Sequence, residues 1–124
     1  NIYDKYVSVN ELFKRTNLCT FGQYWKKSST ITLSEPWTNF GIILFRCGWN
    51  NQAGGFVDAF HVTINTKLED DRFIRLAPVQ GTTQRYMTLF LSATDTTKVT
   101  ITQSTFTAGD TNALRSIQGL MRMN

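Results

Sequence analysis

From Phe56 to Asn65 the chain alternates with a period of two: Phe56, Asp58, Phe60, Val62 and Ile64 fall on one side, and Val57, Ala59, His61, Thr63 and Asn65 on the other. Successive side chains of an extended strand point to opposite faces, so this pattern predicts a single long strand. A helix, with its period of 3.6, would scatter the same residues around its axis.

The same grammar recurs along most of the chain. Thr30, Ile31, Thr32 and Leu33 alternate polar and apolar, and Pro36, which has no backbone donor for a ladder, stops the run. Residues 41–49 (GIILFRCGW) are apolar almost throughout apart from Arg46, which predicts a central strand covered on both faces. Residues 50–55 (NNQAGG) tolerate positive φ and predict a reversal. Residues 68–71 carry three acids and read as a solvated turn, and 72–76 form a short strand ended by Pro78. Tyr86, Thr88 and Phe90 then alternate with Met87, Leu89 and Leu91. Beyond a turn at 94–97, Val99 and Ile101 stand opposite Thr100 and Thr102, and residues 116–123 supply a last strand. No segment beyond residue 16 keeps a helical period for more than two turns. Seven or eight short strands separated by turn chemistry predict an all-β fold, an antiparallel β-sandwich or jelly roll, two architectures that spacing alone does not separate.

The opening of the chain is different. Ile2, Tyr6, Val9 and Phe13 lie at spacings of four, three and four, the a/d pattern of a coiled coil. We therefore expect a short N-terminal helical or coiled-coil-like segment over residues 1–16, the end of a stalk or a linker, ahead of a β-sandwich head over 17–124. The same four residues also suit a short helix or strand packed on the core. With 124 residues, 41% of them hydrophobic, the chain is sized for one packed domain. It begins at Asn1 rather than Met, which we read as the start of an excised piece of something longer.

Charge argues against nucleic acid as a partner. The net +4 is spread over Lys5, Lys14, Arg15, Arg46, Lys67, Arg72, Arg75, Arg85, Lys98, Arg115 and Arg122, and the tightest basic pair is Lys26 with Lys27 beside Tyr24 and Trp25. A diffuse excess of this kind is a solvated surface rather than a phosphate track. No stretch approaches the roughly 20 apolar residues of a membrane span, so no membrane insertion is expected. Cys19 and Cys47 are too few for a disulfide scaffold and lack the CxxC spacing of a zinc site; two thiols among apolar neighbours and a single bridge both remain open.

Catalytic patterns are weak. The single histidine, His61, is three residues from Asp58 on the same strand, so the two side chains point to opposite faces. Glu35, Asp58, Asp95 and Asp110 sit near strand ends, and nothing in the sequence pairs any two of them for glycoside hydrolysis. The glycines Gly54 and Gly55 run straight into Phe56 and Val57 rather than into the Lys-Ser/Thr of a phosphate loop. Glu69, Asp70 and Asp71 suit a solvated turn, or less simply a calcium ion held with loop carbonyls. The reading is a protein that binds rather than an enzyme, with no metal and no organic cofactor.

Binding chemistry concentrates around the tryptophans. Trp25, Trp37 and Trp49 lie at strand edges or in loops, where an aromatic face suits the apolar face of a sugar ring while amides bond its hydroxyls. Trp49, Asn50, Asn51 and Gln52 combine these groups in four consecutive residues and form the expected ligand site, with Trp37 as a further contributor and Trp25 a weaker one. The competing reading is that each tryptophan plugs an end of the sandwich.

The order of features resembles a known family. A coil-prone start is followed by SSTITLSEPWTNFGIILFRCGW (residues 28–49), by polar alternating strands, and by a closing SIQGLMRMN (residues 116–124). This resembles the C-terminal receptor-binding head domains of bacteriophage tail-fibre and baseplate proteins, in which a G-x-I-T-L-S strand, an N-F lead into an apolar strand and a terminal I-x-G-I/L-x-R strand recur. The matching positions are residues 30–34, Asn39 with Phe40, and residues 117–122; Ser29 stands where the pattern has its glycine. The resemblance covers residues 28–124 and implies a β-sandwich head, usually a homotrimer, carried on the virion at the tip of a tail fibre or baseplate. Its implied partner is a bacterial surface glycan or protein receptor. It implies no shared binding residues, so the site expectation rests on the tryptophan and amide chemistry alone. A second class stays in play, a structural or assembly module of a viral tail or capsid whose partners are other viral proteins.

Overall fold

The computed structural model describes residues 14–20, 26–48, 56–64, 72–110 and 113–123. The coiled-coil-like seam of Ile2, Tyr6, Val9 and Phe13 lies outside them. Among the described residues ten strands follow one another: β1 (Thr16–Thr20), β2 (Thr30–Thr32), β3 (Phe40–Cys47), β4 (Val57–Val62), β5 (Phe73–Leu76), β6 (Val79–Gln80), β7 (Thr83–Gln84), β8 (Met87–Leu91), β9 (Lys98–Ser104) and β10 (Leu114–Arg122). The only helix among the described residues is a 3-10 turn at Trp37–Asn39.

Eight of these strands build two four-stranded antiparallel sheets, ordered β1-β10-β3-β4 and β2-β9-β8-β5, while β6 and β7 form a small hairpin of their own turning at Gly81, whose φ is +61°. The expected β-sandwich is the fold. The two ends of the chain run side by side through both sheets, β1 against β10 and β2 against β9. The middle is built from neighbours in sequence, β3 with β4 and β8 with β9, rather than from the repeated crossings between sheets of a full jelly roll. Thr16, the last residue of the expected stalk segment, already belongs to β1 and pairs with Gly119.

Between the sheets lies a dry core. The first contributes Leu18, Ile43, Phe45, Cys47, Leu114 and Ile117, and the second Ile31, Ile74, Leu76, Met87, Leu89, Leu91, Val99 and Ile101. Met87, Leu89 and Leu91 of β8 and Val99 and Ile101 of β9 are apolar and buried, while Thr88, Phe90, Thr100 and Thr102 between them are half-exposed. That is the signature of a sheet with one wet face. As its apolar run predicts, β3 is central in its sheet, between β10 and β4, and most of its side chains on both faces are buried.

Candidate functional site

The predicted site residues Trp49, Asn50, Asn51 and Gln52 lie outside the described residues, as does Trp25; the β3–β4 ladder that flanks residues 49–55 in the chain is described. Its last paired rung joins Cys47 to Val57, and the rung below joins Arg46 to Asp58 across β3 and β4. Arg46 donates to Asp58 through Nε at 2.7 Å and Nη2 at 2.8 Å, a fork that holds the Asp58 carboxyl below the ordinary range and raises the guanidinium. The Phe56 ring stands beside this pair with the Arg115 guanidinium carbon 4.8 Å and that of Arg46 5.7 Å from its centroid. A Cβ at Gly48 would fall 2.4 Å from Phe56, so only glycine lets the ring lie there. The charges of Arg46 and Asp58 are spent on each other.

Trp37 is a correction. It was expected to offer its ring to a ligand, yet it is 2% exposed, part of the core, with its indole Nε1 donating to the Ser92 carbonyl at 2.8 Å and its own amide donating to Thr96 at 2.9 Å. The 3-10 turn that follows Pro36 swings the side chain under the turn at 92–97, where the ring fills the end of the sandwich. The plug reading is the right one for this residue, because burying so large a ring with its one donor satisfied outweighs displaying it.

The carboxylates near strand ends are each occupied. Glu35 accepts a fork from Arg122 at 2.8 and 3.0 Å and a bond from the Asn39 amide at 3.0 Å, which bring its pKa down to about 2. Asp95 accepts from the Thr97 hydroxyl and backbone. Asp110, 3% exposed, accepts from the Thr107 amide and hydroxyl and lies 3.3 Å from Arg85 Nε. Asp58 is exposed on the outer side of β4 and His61 half-buried on the other, the separation that their spacing predicts. Cys19 and Cys47 form no disulfide with each other, and burial pushes the Cys47 thiol up to about 12. Among the described residues no three His, Cys, Asp or Glu gather as metal ligands, and no helix is long and apolar enough to cross a membrane.

Two surfaces escaped the sequence reading. The first is the outer face of the β10-β3-β4 part of its sheet. The rungs there run Leu120, Ile42, Val62 and Gln118, Leu44, Phe60, with Arg46 and Asp58 closing the row. Phe60 is 62% exposed, Val62 54% and Ile64 48%, so the apolar side of the alternation that predicted β4 faces solvent in the single chain. The second is the outer edge of the other sheet at β5 and β8, where Phe73 is 63% exposed and the guanidinium groups of Arg72 and Arg75 lie over aromatic rings. Its signal in the sequence is the run Arg72-Phe73-Ile74-Arg75, which places an aromatic and an arginine on the same side of a strand.

No known protein family matches the chain, and no curated protein matches it.

Proposed function

We propose that this chain is the receptor-binding head of a bacteriophage tail fibre or baseplate protein, that it works as a homotrimer at the tip of the virion, and that it attaches the particle to a saccharide on the bacterial surface. The observation that carries this reading is the outward apolar face of β4. Monomeric proteins rarely leave large neighbouring side chains such as Phe60, Val62 and Ile64 between 48% and 62% exposed on one face. Such a face belongs to a subunit, covered when copies assemble. The order of strand motifs that resembles phage heads, with β2, β3 and β10 at the matching positions, supports the setting. Binding rather than turnover fits the carboxylates, since Glu35, Asp58 and Asp110 are each held by a structural arginine.

The apolar face equally favours a structural module of a viral tail or capsid. The two readings part on cells. Sedimentation of the full chain at micromolar concentration and adherence of the fluorescently labelled chain to whole bacteria test both. A trimer that adheres supports the receptor-binding head, a trimer that adheres to nothing supports the assembly module, and a 14.2 kDa monomer overturns the trimer.

A further inference from the structure

Five of the described arginines contrast in what holds them. Arg46, Arg85 and Arg122 each face a carboxylate, on Asp58, Asp110 and Glu35. Among the described residues Arg72 and Arg75 face no carboxylate, and each lies over a ring instead. The Arg72 guanidinium carbon lies 4.5 Å from the centroid of Phe90, and one of its terminal nitrogens donates to the Leu91 carbonyl at 3.2 Å, while its Nε has no acceptor. The Arg75 guanidinium carbon lies 3.9 Å from the centroid of Tyr86, and Arg75 makes no hydrogen bond or ion pair among the described residues. A guanidinium laid over a ring keeps its N–H donors in its own plane, directed outward and already ordered.

Around these two forks the surface is uniform in character. Phe73 pairs with Phe90 across β5 and β8, with ring centroids 4.7 Å apart, and the 63% exposure of Phe73 leaves an apolar ring face open next to Arg72 and Arg75. The Phe73–Phe90 rung continues through Thr100 to Thr30, with Lys98 and Thr32 on one side of it and a rung of Arg75, Thr88 and Gln103 on the other. Hydroxyls, aromatic rings and three cations line this outer face, and no carboxylate stands on its outward ladder positions. It also looks away from the apolar face of β4, because the two sheets turn their outer faces in opposite directions.

We propose that the β5–β8 edge is a binding site for an anionic saccharide, with a sugar ring on Phe73, the carboxylate or phosphate of the sugar in the fork of Arg75, and Arg72 as the second cation. This rests on the reading of the chain as a saccharide-binding head and names the chemical class it takes. The exposed ring suits the apolar face of a sugar, the unpaired forks suit an anion bidentately, and the threonine hydroxyls suit neighbouring sugar hydroxyls.

The test titrates the full chain with an oligogalacturonate, a poly(glycerol phosphate), a neutral maltodextrin and a single-stranded oligonucleotide. One or both anionic polymers should bind, weakening as salt rises, and the stronger of the two identifies the anion. Arg72→Ala and Arg75→Ala should each cost roughly tenfold in affinity. Phe73→Ala should also weaken binding, and Lys14→Ala, away from this edge, should not. Because Arg75 and Phe73 are exposed, melting temperatures near that of the parent will certify the variants as folded. The proposal is overturned if maltodextrin binds as tightly as both anionic polymers, if the oligonucleotide binds more tightly than either, or if the folded Arg72→Ala/Arg75→Ala double variant binds them undiminished. Adherence to whole bacteria reads the parent proposal separately: adherence that survives the double substitution overturns this site and leaves attachment standing.

Discussion

The ring of Phe40 occupies the space that a side chain at residue 119 would need. A Cβ built on Gly119 falls 2.5 Å from two of its ring carbons, and Phe40 is itself only 2% exposed. Arg122, the residue across the ladder from Phe40, lays its guanidinium carbon 4.7 Å from the centroid of the Phe40 ring and then reaches Glu35. A glycine in the last strand thus lets β10 and β3 close around an aromatic that links the core to a surface ion pair.

Gly119→Ala should therefore destabilise the domain by about 1–3 kcal/mol, the usual cost of forcing extra volume into a packed site. Urea denaturation should show a lower midpoint with an unchanged slope. A midpoint equal to the parent's would mean that Phe40 moves aside freely.

Trp37→Ala should cost about 3–5 kcal/mol, because it empties the end of the sandwich and strands the Ser92 carbonyl without its donor. Circular dichroism and melting should report the loss before any binding assay does. A folded Trp37→Ala chain with intact stability would return this residue to the list of ligand contacts.

Glu35 sets a pH dependence whose sign follows from its pKa, lowered from 4.5 to about 2 chiefly by the bonds from Arg122 and Asn39. The folded state binds this proton less readily than the unfolded one, so the stabilisation is fully present above pH 4.5 and is lost as pH falls toward 2. Glu35→Gln should lower the melting temperature slightly at neutral pH, since the pair is partly exposed, and the gap from the parent should close across that acid window. A gap that stays constant from neutral to acid pH would show that the carboxylate charge contributes nothing.

Phe60→Ser combined with Val62→Ser should convert the proposed homotrimer into monomers that stay folded, because both side chains are more than half exposed in the single chain and outside its core. Sedimentation should show a 14.2 kDa species with the circular dichroism of the parent. An unchanged trimer would move the subunit contact to another face.

Much of the architecture was legible in the sequence because strand periodicity is local. The alternations at 56–65, 85–93 and 98–107 correspond to β4, β8 and β9, and the doubly apolar run at 41–49 to the central β3. The strand β1 was not legible, since Thr16–Thr20 carries too short an alternation to stand out, and its place is set by pairing with β10 far away in the chain. The candidate site was less legible still. Trp37 could not be told from a displayed tryptophan without the Ser92 carbonyl, 55 residues away, that satisfies its indole.

By itself the sequence determined that β4 would be a strand and which of its residues would share a face, because both depend only on the period of the backbone. Which face would look inward was decided by the tertiary structure. Phe60 and Val62 take their side from the partner strand β3, where they stand opposite Leu44 and Ile42, while Ala59 and His61 stand opposite Phe45 and Ile43. Both faces of β3 are largely apolar, and β4 alone would favour burying its Phe60 and Val62 side, so the choice is not made within these two strands. The choice is made when Ile43, Phe45 and Cys47 pack against the second sheet, and that packing turns Phe60, Val62 and Ile64 outward.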